Sequence, residues 1–254
     1  MMRPFRQLLR RVAALRDPKP RTLDQWIADH HSVVEAEMDR IEHLVPEDGI
    51  VVDVGANVGL FTESLLRRRP GVRVVCFEPV KRYHDVAVER LKRFPQVEIH
   101  PMGLSNAIED RPIWLAPHNP GANSVMDDIM FDRRENSEVR EDTQIVEEQI
   151  HLTTWSAFAA EKGIDEVHFV KTDTEGFDYA VLDGMLDFLR KTTRLPVLYT
   201  ELLHENYHPR WDEQQRVVDA LLEIGYGDVD LESMKKVDNI LFLPRDAVDR
   251  GEGA

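Results

Sequence analysis

Residues 50–62 carry the pattern that most constrains what this chain can fold into. An apolar run from Ile50 to Val54 is followed by two closely spaced glycines, Gly55 and Gly59, and then by residues suited to a helix. Apolar runs of this length are typical of strands buried in a parallel sheet, and glycines allow the tight turn into the helix that follows. The pattern therefore predicts a strand-turn-helix unit that binds a nucleoside at the carboxyl end of a sheet.

The charge of Asp53 limits which kind of ligand this turn can bind. Asp53 lies near the end of the strand, where a carboxylate would repel a pyrophosphate and favour a cation. Asn57 also replaces the second glycine of the GxGxxG fingerprint that a nicotinamide-dependent oxidoreductase would need. S-adenosylmethionine carries an adenosyl group and an ammonium but no phosphate. The pattern therefore favours a methyltransferase over a dehydrogenase.

A second apolar run agrees with this interpretation. Val72 to Phe77 predicts the next strand, which ends at Glu78 and Pro79. An acidic residue at the tip of the second strand can accept hydrogen bonds from both ribose hydroxyls of an adenosyl group. The loop after the third predicted strand, residues 101–106, would leave the sheet at the same edge and contact the adenine, with Ser105 as a hydrogen-bond partner or as part of a plain turn.

The strand-and-helix pattern of the first two units continues through the later segments of the chain. Apolar runs alternate with helical patterns as far as two closely spaced strands at the end, which predicts a doubly wound, mostly parallel sheet with an antiparallel finish. We expect an N-terminal helical extension over residues 1–47, a catalytic domain over 48–246 and a tail over 247–254. A long polar stretch, residues 117–143, interrupts the domain and is expected to form a lid over the substrate.

The charge and the amino-acid composition limit the kinds of partner that the protein can bind. The formal net charge of −15 argues against general affinity for nucleic acid, whose phosphates would be repelled. The single cysteine, Cys76, lies in a predicted strand and provides no disulfide framework, which fits a cytoplasmic protein. No apolar run reaches membrane-spanning length, so we expect no stable membrane insertion. The basic residues 3–16 predict an amphipathic helix that docks on its own acidic domain or on a sister subunit, with a membrane-surface anchor as the alternative and a homodimer as one option.

Candidate catalytic residues follow the later strands. Asp173, Glu201 and His204 are expected to converge beside the methyl donor, because the carboxyl ends of parallel strands meet at one edge. His204 can take a proton near neutral pH, and His208 is a second candidate base. Alternatively, Asp173 and Glu201 could hold Mg²⁺ with two hydroxyls of the substrate. Asp173 and Glu175 could instead only cap the following helix.

Together these motifs resemble the FkbM-type family of S-adenosylmethionine-dependent methyltransferases. The matching segments are residues 53–59 (DVGANVG), 77–79 (FEP), 103–106 (GLSN), 121–125 (GANSV), 171–177 (KTDTEGF) and 181–184 (VLDG). The resemblance implies the Rossmann-like, seven-stranded class I methyltransferase fold. It also implies O-methylation of a sugar hydroxyl in an oligosaccharide, a polysaccharide or a glycosylated natural product. The residues expected to bind the donor are Asp53, Gly55, Asn57, Gly59, Glu78, Ser105 and Asp173.

Two other functions remain open at this point. The chain could be a silent scaffold that binds S-adenosylmethionine without turnover, although the intact acidic residues at the strand ends disfavour this. It could also methylate a small molecule that is not a sugar. A nucleic-acid methyltransferase is disfavoured by charge and because no NPPY-like tetrad follows the fourth strand.

Overall fold

The structure is a computed structural model that describes residues 22–116, 121, 123–127, 146–227, 229, 231 and 237–246. Its described helices are α1 (Leu23–Ile41), α2 (Leu60–Arg68), α3 (Lys81–Leu91), α4 (Trp155–Lys162), α5 (Asp178–Leu189) and α6 (Trp211–Ile224). Its described strands are β1 (Ile50–Val54), β2 (Arg73–Phe77), β3 (Val97–His100), β4 (Gly103–Leu104), β5 (Glu109–Leu115), β6 (Val146–Thr153), β7 (Phe169–Thr172), β8 (Val197–Leu203) and β9 (Val237–Phe242).

Six strands form the central sheet, in the order β3-β2-β1-β7-β8-β9. Neighbouring strands are parallel except for β8 and β9, which are antiparallel. The expected doubly wound sheet with an antiparallel last strand is therefore confirmed. Of the seven strands expected, the described residues place six in this sheet. A strand predicted over 229–231 falls partly outside the described residues, because Asp230 is not described.

The strand order reverses between β1 and β7, and this positions the site. The chain runs outward from β1 through β2 to β3, and it later returns to the other side of β1 as β7. Loops on the two sides of such a reversal leave the sheet in opposite directions, so a crevice opens at the carboxyl ends of these strands. The two glycines of the first turn lie at this crevice.

A small second sheet covers one side of the crevice. Its order is β4-β6-β5, with β4 parallel and β5 antiparallel to β6. Part of the stretch expected to form a lid packs here. Ser124 forms an antiparallel bridge with Trp114, and the Asn123 side-chain oxygen accepts a hydrogen bond from the Ala116 N–H at 2.9 Å. Residues 117–120, 122 and 128–145 lie outside the described residues, so the lid stays a prediction.

Helix α1 packs on the opposite side of the crevice. The helix begins with a capping box between Thr22 and Gln25, as the sequence pattern predicts. Met38 and Ile41 are buried against residues of β1, α2 and β8, which joins this helix to the core. Arg68 of α2 forms ion pairs with three acidic side chains, those of Glu35, Asp39 and Glu42. None of the described helices is long and apolar enough to cross a bilayer.

Candidate functional site

A cavity of about 770 Å³ opens at the carboxyl ends of the central strands. Its floor is formed by the residues after β1, β2 and β7, and by side chains of β8. Residues of the second sheet form one wall, and α1 forms the other. The lining residues used below are Trp26, Glu37, Gly55, Asn57, Glu78, Lys171, Asp173, Glu175, Tyr199 and Glu201.

The glycine turn brings two distant loops into contact. The N–H groups of Gly55 and Ala56 both donate to the carbonyl of Phe77 at 3.0 Å, which fixes the turn against the end of β2. Gly55 has φ 74°, and a Cβ added there would lie 2.0 Å from the Asp173 carbonyl oxygen. Only glycine fits this position, because a side chain would be both strained and blocked. The predicted tight turn is confirmed, and it lets the loop after β7 approach β1.

Glu78 is held at the tip of β2, as predicted. Its carboxylate accepts hydrogen bonds from the N–H groups of Asn57 at 2.8 Å and Val80 at 2.9 Å. The side chain is buried, and this burial raises the pKa of Glu78 to about 7, although the two backbone donors favour the charged form. Each carboxylate oxygen has a further lone pair that a ribose hydroxyl could use.

Asp53 has a different environment from the one expected. It is fully buried, it accepts a hydrogen bond from the Thr62 hydroxyl at 2.7 Å, and the Lys171 ammonium lies 3.4 Å away. The cation beside this carboxylate is therefore a lysine of the protein. Asp53 does not line the cavity, although the turn that follows it does. Its direct contact with a donor stays a prediction, and the structure gives it a role beneath the turn.

Lys171 is a buried residue of the site, and its place in the 171–177 motif does not by itself predict its role. Its ammonium donates to the Gly55 carbonyl at 3.0 Å and lies 3.6 Å from the Asp173 carboxylate. Burial disfavours its charge, but Asp173, Asp53 and Glu37 together raise the pKa of Lys171 above its ordinary value. A lysine within an otherwise apolar strand, two positions before an aspartate, was the available signal.

Asp173 lines the cavity, and its position beside the methyl donor stays a prediction. Its side chain is 44% exposed, whereas those of Asp53 and Lys171 are buried. Whether Asp173 or Glu175 caps α5 stays a prediction. Asp178, in the first turn of this helix, accepts a hydrogen bond from the Thr174 N–H of the preceding loop at 3.2 Å. Burial raises the pKa of Asp178 to about 6. Glu175 has a left-handed backbone with φ 59°, and its carbonyl accepts a hydrogen bond from the Ser124 hydroxyl at 3.0 Å.

Only one of the remaining predicted site residues lines the cavity. Glu201 lines the cavity on β8, whereas Ser105 and His204 are not among the lining residues. Ser105 is fully buried, and its hydroxyl donates to Asn106 at 3.3 Å. His204 accepts a hydrogen bond through Nδ1 from the Asn206 N–H at 3.2 Å. The roles of Ser105 at the adenine and of His204 as a base stay predictions.

His208 is held in place by hydrogen bonds at both ring nitrogens. Its Nδ1 accepts from the Arg210 N–H at 2.9 Å, and its Nε2–H donates to the Gly176 carbonyl at 3.1 Å. Both ring nitrogens are occupied, and burial lowers the pKa of His208, so the neutral ring is favoured. This histidine ties the loop after β7 to the start of α6.

Comparison with known proteins identifies the family. Residues 53–227 match the model of the methyltransferase FkbM domain, which is more than half of the chain. The chain belongs to the FkbM methyltransferase family. This confirms the resemblance read from the motifs. The FkbM domain makes the chain a member of the S-adenosylmethionine-dependent methyltransferases.

Individual relatives of this FkbM chain are distant. It is 27% identical over 187 residues to the AMB antimetabolite synthetase AmbE of Pseudomonas aeruginosa, a match that covers 61% of this chain and 8% of that protein. It is 24% identical over 160 residues to methyltransferase sdnD of Sordaria araneosa, covering 56% of this chain and 62% of that one. The precorrin-6Y C5,15-methyltransferase of Geobacter metallireducens is a solved structure with 14% identity, 89% coverage of both chains and a TM-score of 0.38. This chain therefore spans less than two thirds of the curated relatives it matches first.

The residues at the crevice fit the family's methyl donor. Glu78 offers oxygen acceptors for the ribose at the end of β2, and the turn over 55–59 leaves backbone close to the cavity. Apolar residues of the second sheet, Leu104 and Leu152, lie on the same wall and suit a flat adenine ring. The acidic side chains of Glu37, Asp173 and Glu201 on the cavity lining outnumber the single ammonium of Lys171, and the negative charge that remains favours a cationic group there.

The predicted metal site has two protein ligands, Asp173 and Glu201. Among the residues that the structure describes, no group of three or more His, Cys, Asp or Glu side chains is arranged to hold a metal ion. Asp173 and Glu201 both line the cavity, but that pair alone is a poor match to the several oxygen ligands that Mg²⁺ requires. Magnesium binding stays a prediction, and no chemical step below depends on it.

Proposed function

We propose that this protein is an S-adenosylmethionine-dependent O-methyltransferase that methylates a sugar hydroxyl in an oligosaccharide, a polysaccharide or a glycosylated natural product. The observation that carries the proposal is the polar wall next to Asp173. There Glu37, Tyr199 and Glu201 line the cavity, and the Tyr199 hydroxyl donates a hydrogen bond to the Glu37 carboxylate. A neutral acceptor with several hydroxyls could donate and accept hydrogen bonds along such a wall.

The protein's residues have mainly to bind and orient the two reactants. The donor carries its methyl group on a sulfonium, which leaves as a neutral thioether. Glu78 would hold the ribose, and the turn over 55–59 would set the depth of the adenosyl group. Orientation of an acceptor oxygen in line with the methyl carbon can supply a large share of the rate acceleration. The enclosing α1 and second sheet would keep water from competing with that oxygen.

Charge supports a neutral acceptor. The chain has a formal net charge of −15, and three acidic side chains, Glu37, Asp173 and Glu201, line the proposed acceptor side. A phosphorylated or nucleic-acid acceptor would be repelled there, whereas a neutral sugar would not.

Titration and turnover together test the proposal. Isothermal titration with S-adenosylhomocysteine should give micromolar binding, and transfer of a labelled methyl group to a panel of methyl glycosides and oligosaccharides should give O-methyl sugars by mass spectrometry. Asp173→Asn should weaken donor binding about tenfold, because a negative neighbour of the sulfonium is lost. Asp165→Asn is a matched control, since Asp165 is exposed at the opposite end of β7.

The outcomes separate the alternatives. Donor binding with transfer to the sugars supports the proposal. Donor binding with transfer only to hydroxyls of other small molecules would replace the sugar by a non-sugar acceptor. A folded protein that binds no donor would favour the silent scaffold.

A further inference from the structure

Glu37 is a half-buried carboxylate at the cavity that lies outside the matched family segment. It is on α1, whereas the family match begins at Asp53. The carboxylate lines the cavity and accepts a hydrogen bond from the Tyr199 hydroxyl. Tyr199 is paired in register with Lys171, which is paired with Asp53. Residues opposite each other on neighbouring strands point to one face, so α1 places Glu37 above this polar row.

The other acidic groups of the cavity are occupied differently. Glu78 accepts two backbone N–H groups at the donor side, and Asp173 lies 3.6 Å from the Lys171 ammonium, which offsets its charge. Glu37 has a hydroxyl as its hydrogen-bond partner, and a hydroxyl leaves the carboxylate able to take a proton. Burial raises the pKa of Glu37 above its ordinary value, which makes it a stronger proton acceptor.

A second residue of α1 also points to a ligand on this side. Trp26 lines the cavity and is 7% exposed. Its indole nitrogen is buried, and among the described residues it has no hydrogen-bond partner. An unpaired buried donor is costly, and a hydroxyl oxygen of a bound acceptor would satisfy it. Trp26 and Glu37 therefore line the cavity from nearly the same face of one helix, about three turns or ~16 Å apart along its axis, as a proton donor and a proton acceptor.

We propose that Glu37 is the general base of the methyl transfer and that α1 forms the acceptor subsite, with Trp26 binding a part of the acceptor that is remote from the reacting hydroxyl. This inference rests on the proposed function and names the residue that activates the hydroxyl. The acceptor oxygen forms its bond to the methyl carbon as the carbon–sulfur bond breaks and its electron pair goes to sulfur. The hydroxyl proton passes to a carboxylate oxygen of Glu37 and is later released to water. The charge of the products balances, because a cationic donor becomes neutral and one proton is released.

The test compares Glu37→Gln with Glu35→Gln. Glu35 lies on the same helix but is bound to Ser64 and Arg68 outside the cavity, so it is a matched control for loss of one carboxylate. Using the most active methyl glycoside of the panel, Glu37→Gln should lower kcat about 100-fold or more, with KM changed less than about threefold. The Kd for S-adenosylhomocysteine and the melting temperature should stay close to wild type. Glu35→Gln removes one of the three ion pairs of Arg68 and should lower kcat far less than Glu37→Gln does, because Asp39 and Glu42 still hold Arg68.

The pH dependence of kcat distinguishes a general base from a residue that only maintains the structure. The titratable and charged groups facing Glu37 are Tyr199 and Glu201 on β8, Lys171 on β7, Asp173 after β7, Asp53 on β1 and Arg40 on its own helix. The rate should fall at low pH as Glu37 takes a proton. Tyr199→Phe removes the hydroxyl that favours the charged carboxylate, so the low-pH limb of kcat should move to higher pH. This variant keeps the test valid if Glu37→Gln does not fold.

The results distinguish the two proposals. Wild-type kcat in Glu37→Gln, or an unmoved pH profile in Tyr199→Phe, would overturn the role of Glu37 and leave the proposed function standing. Donor binding without methylation of any sugar in the panel would overturn the proposed function, and the inference with it.

Discussion

At the scale of single residues, Glu78 links the pH of the solution to donor binding. Its folded-state pKa of about 7 lies above the ordinary value because the side chain is buried. A ribose hydroxyl donates to the charged carboxylate more strongly than to the neutral acid. We therefore expect the affinity for S-adenosylhomocysteine to rise about tenfold between pH 6 and pH 8 and then to level off, because ionisation is complete by then.

Calorimetric titration over this pH range would measure the effect. Glu78→Gln is the informative variant, since an amide has a similar shape and does not titrate; binding should be weaker and independent of pH. An unchanged pH dependence in this variant would show that another group is responsible. The pH dependence of folding stability has the opposite sign to that of donor binding. Because the pKa of Glu78 is raised in the folded protein, this group stabilises the unliganded protein fully below its ordinary pKa of 4.5, and that stabilisation is lost as the pH rises through about 7.

At the scale of elements, the attachment of α1 decides whether the acceptor side of the cavity exists. Arg68 holds this helix through Glu35 at 2.7 Å, together with Asp39 and Glu42. These groups are partly exposed, so solvent screens them and the whole cluster contributes about 1 kcal/mol. Arg68→Gln should lower the free energy of unfolding by about that amount, and the difference should shrink in 1 M NaCl.

Arg67→Gln is the neighbouring control for this experiment. Arg67 pairs with Glu63, which keeps two other arginines, Arg90 and Arg93, after the substitution. Its loss should therefore change stability less than the loss of Arg68. Urea unfolding of both variants at low and high salt gives the comparison, and equal effects that ignore salt would contradict an electrostatic attachment of α1.

Local patterns predicted most of the elements but few of the contacts in the site. Strand β1, its glycine turn and Glu78 are visible in sequence because each is set by neighbouring residues. The pairing of Asp53 with Lys171 depends on the parallel register of β1 and β7, which are distant in sequence. From sequence alone, the charge of Asp53 therefore predicts a cationic ligand and not a lysine of the protein. Glu37 and Trp26 lie within the predicted N-terminal helical extension, and periodicity does not show which face of a helix meets a cavity.

At the scale of the whole molecule, charge is distributed unevenly along the chain. Residues 1–21 contain seven arginines and lysines and one aspartate, so this segment has a formal charge of +6 against −21 for the rest. An acidic domain repels the phosphate backbone of RNA, whereas a short basic segment can attract it without sequence preference. Any association with RNA should therefore be weak, salt-dependent and independent of the methyl-donor site.

Fluorescence anisotropy with a labelled RNA oligonucleotide tests this prediction on the full chain. We expect a Kd weaker than about 100 µM at 150 mM NaCl, with no change when S-adenosylhomocysteine is added. An uncharged morpholino of the same sequence is the control, because it keeps the bases and removes the phosphate charge. Tight binding that persists in high salt and strengthens with S-adenosylhomocysteine would mean that RNA reaches the cavity. In that case the polar wall formed by Glu37, Tyr199 and Glu201 would have to accept a nucleotide, and the neutral sugar would no longer be the best-supported acceptor.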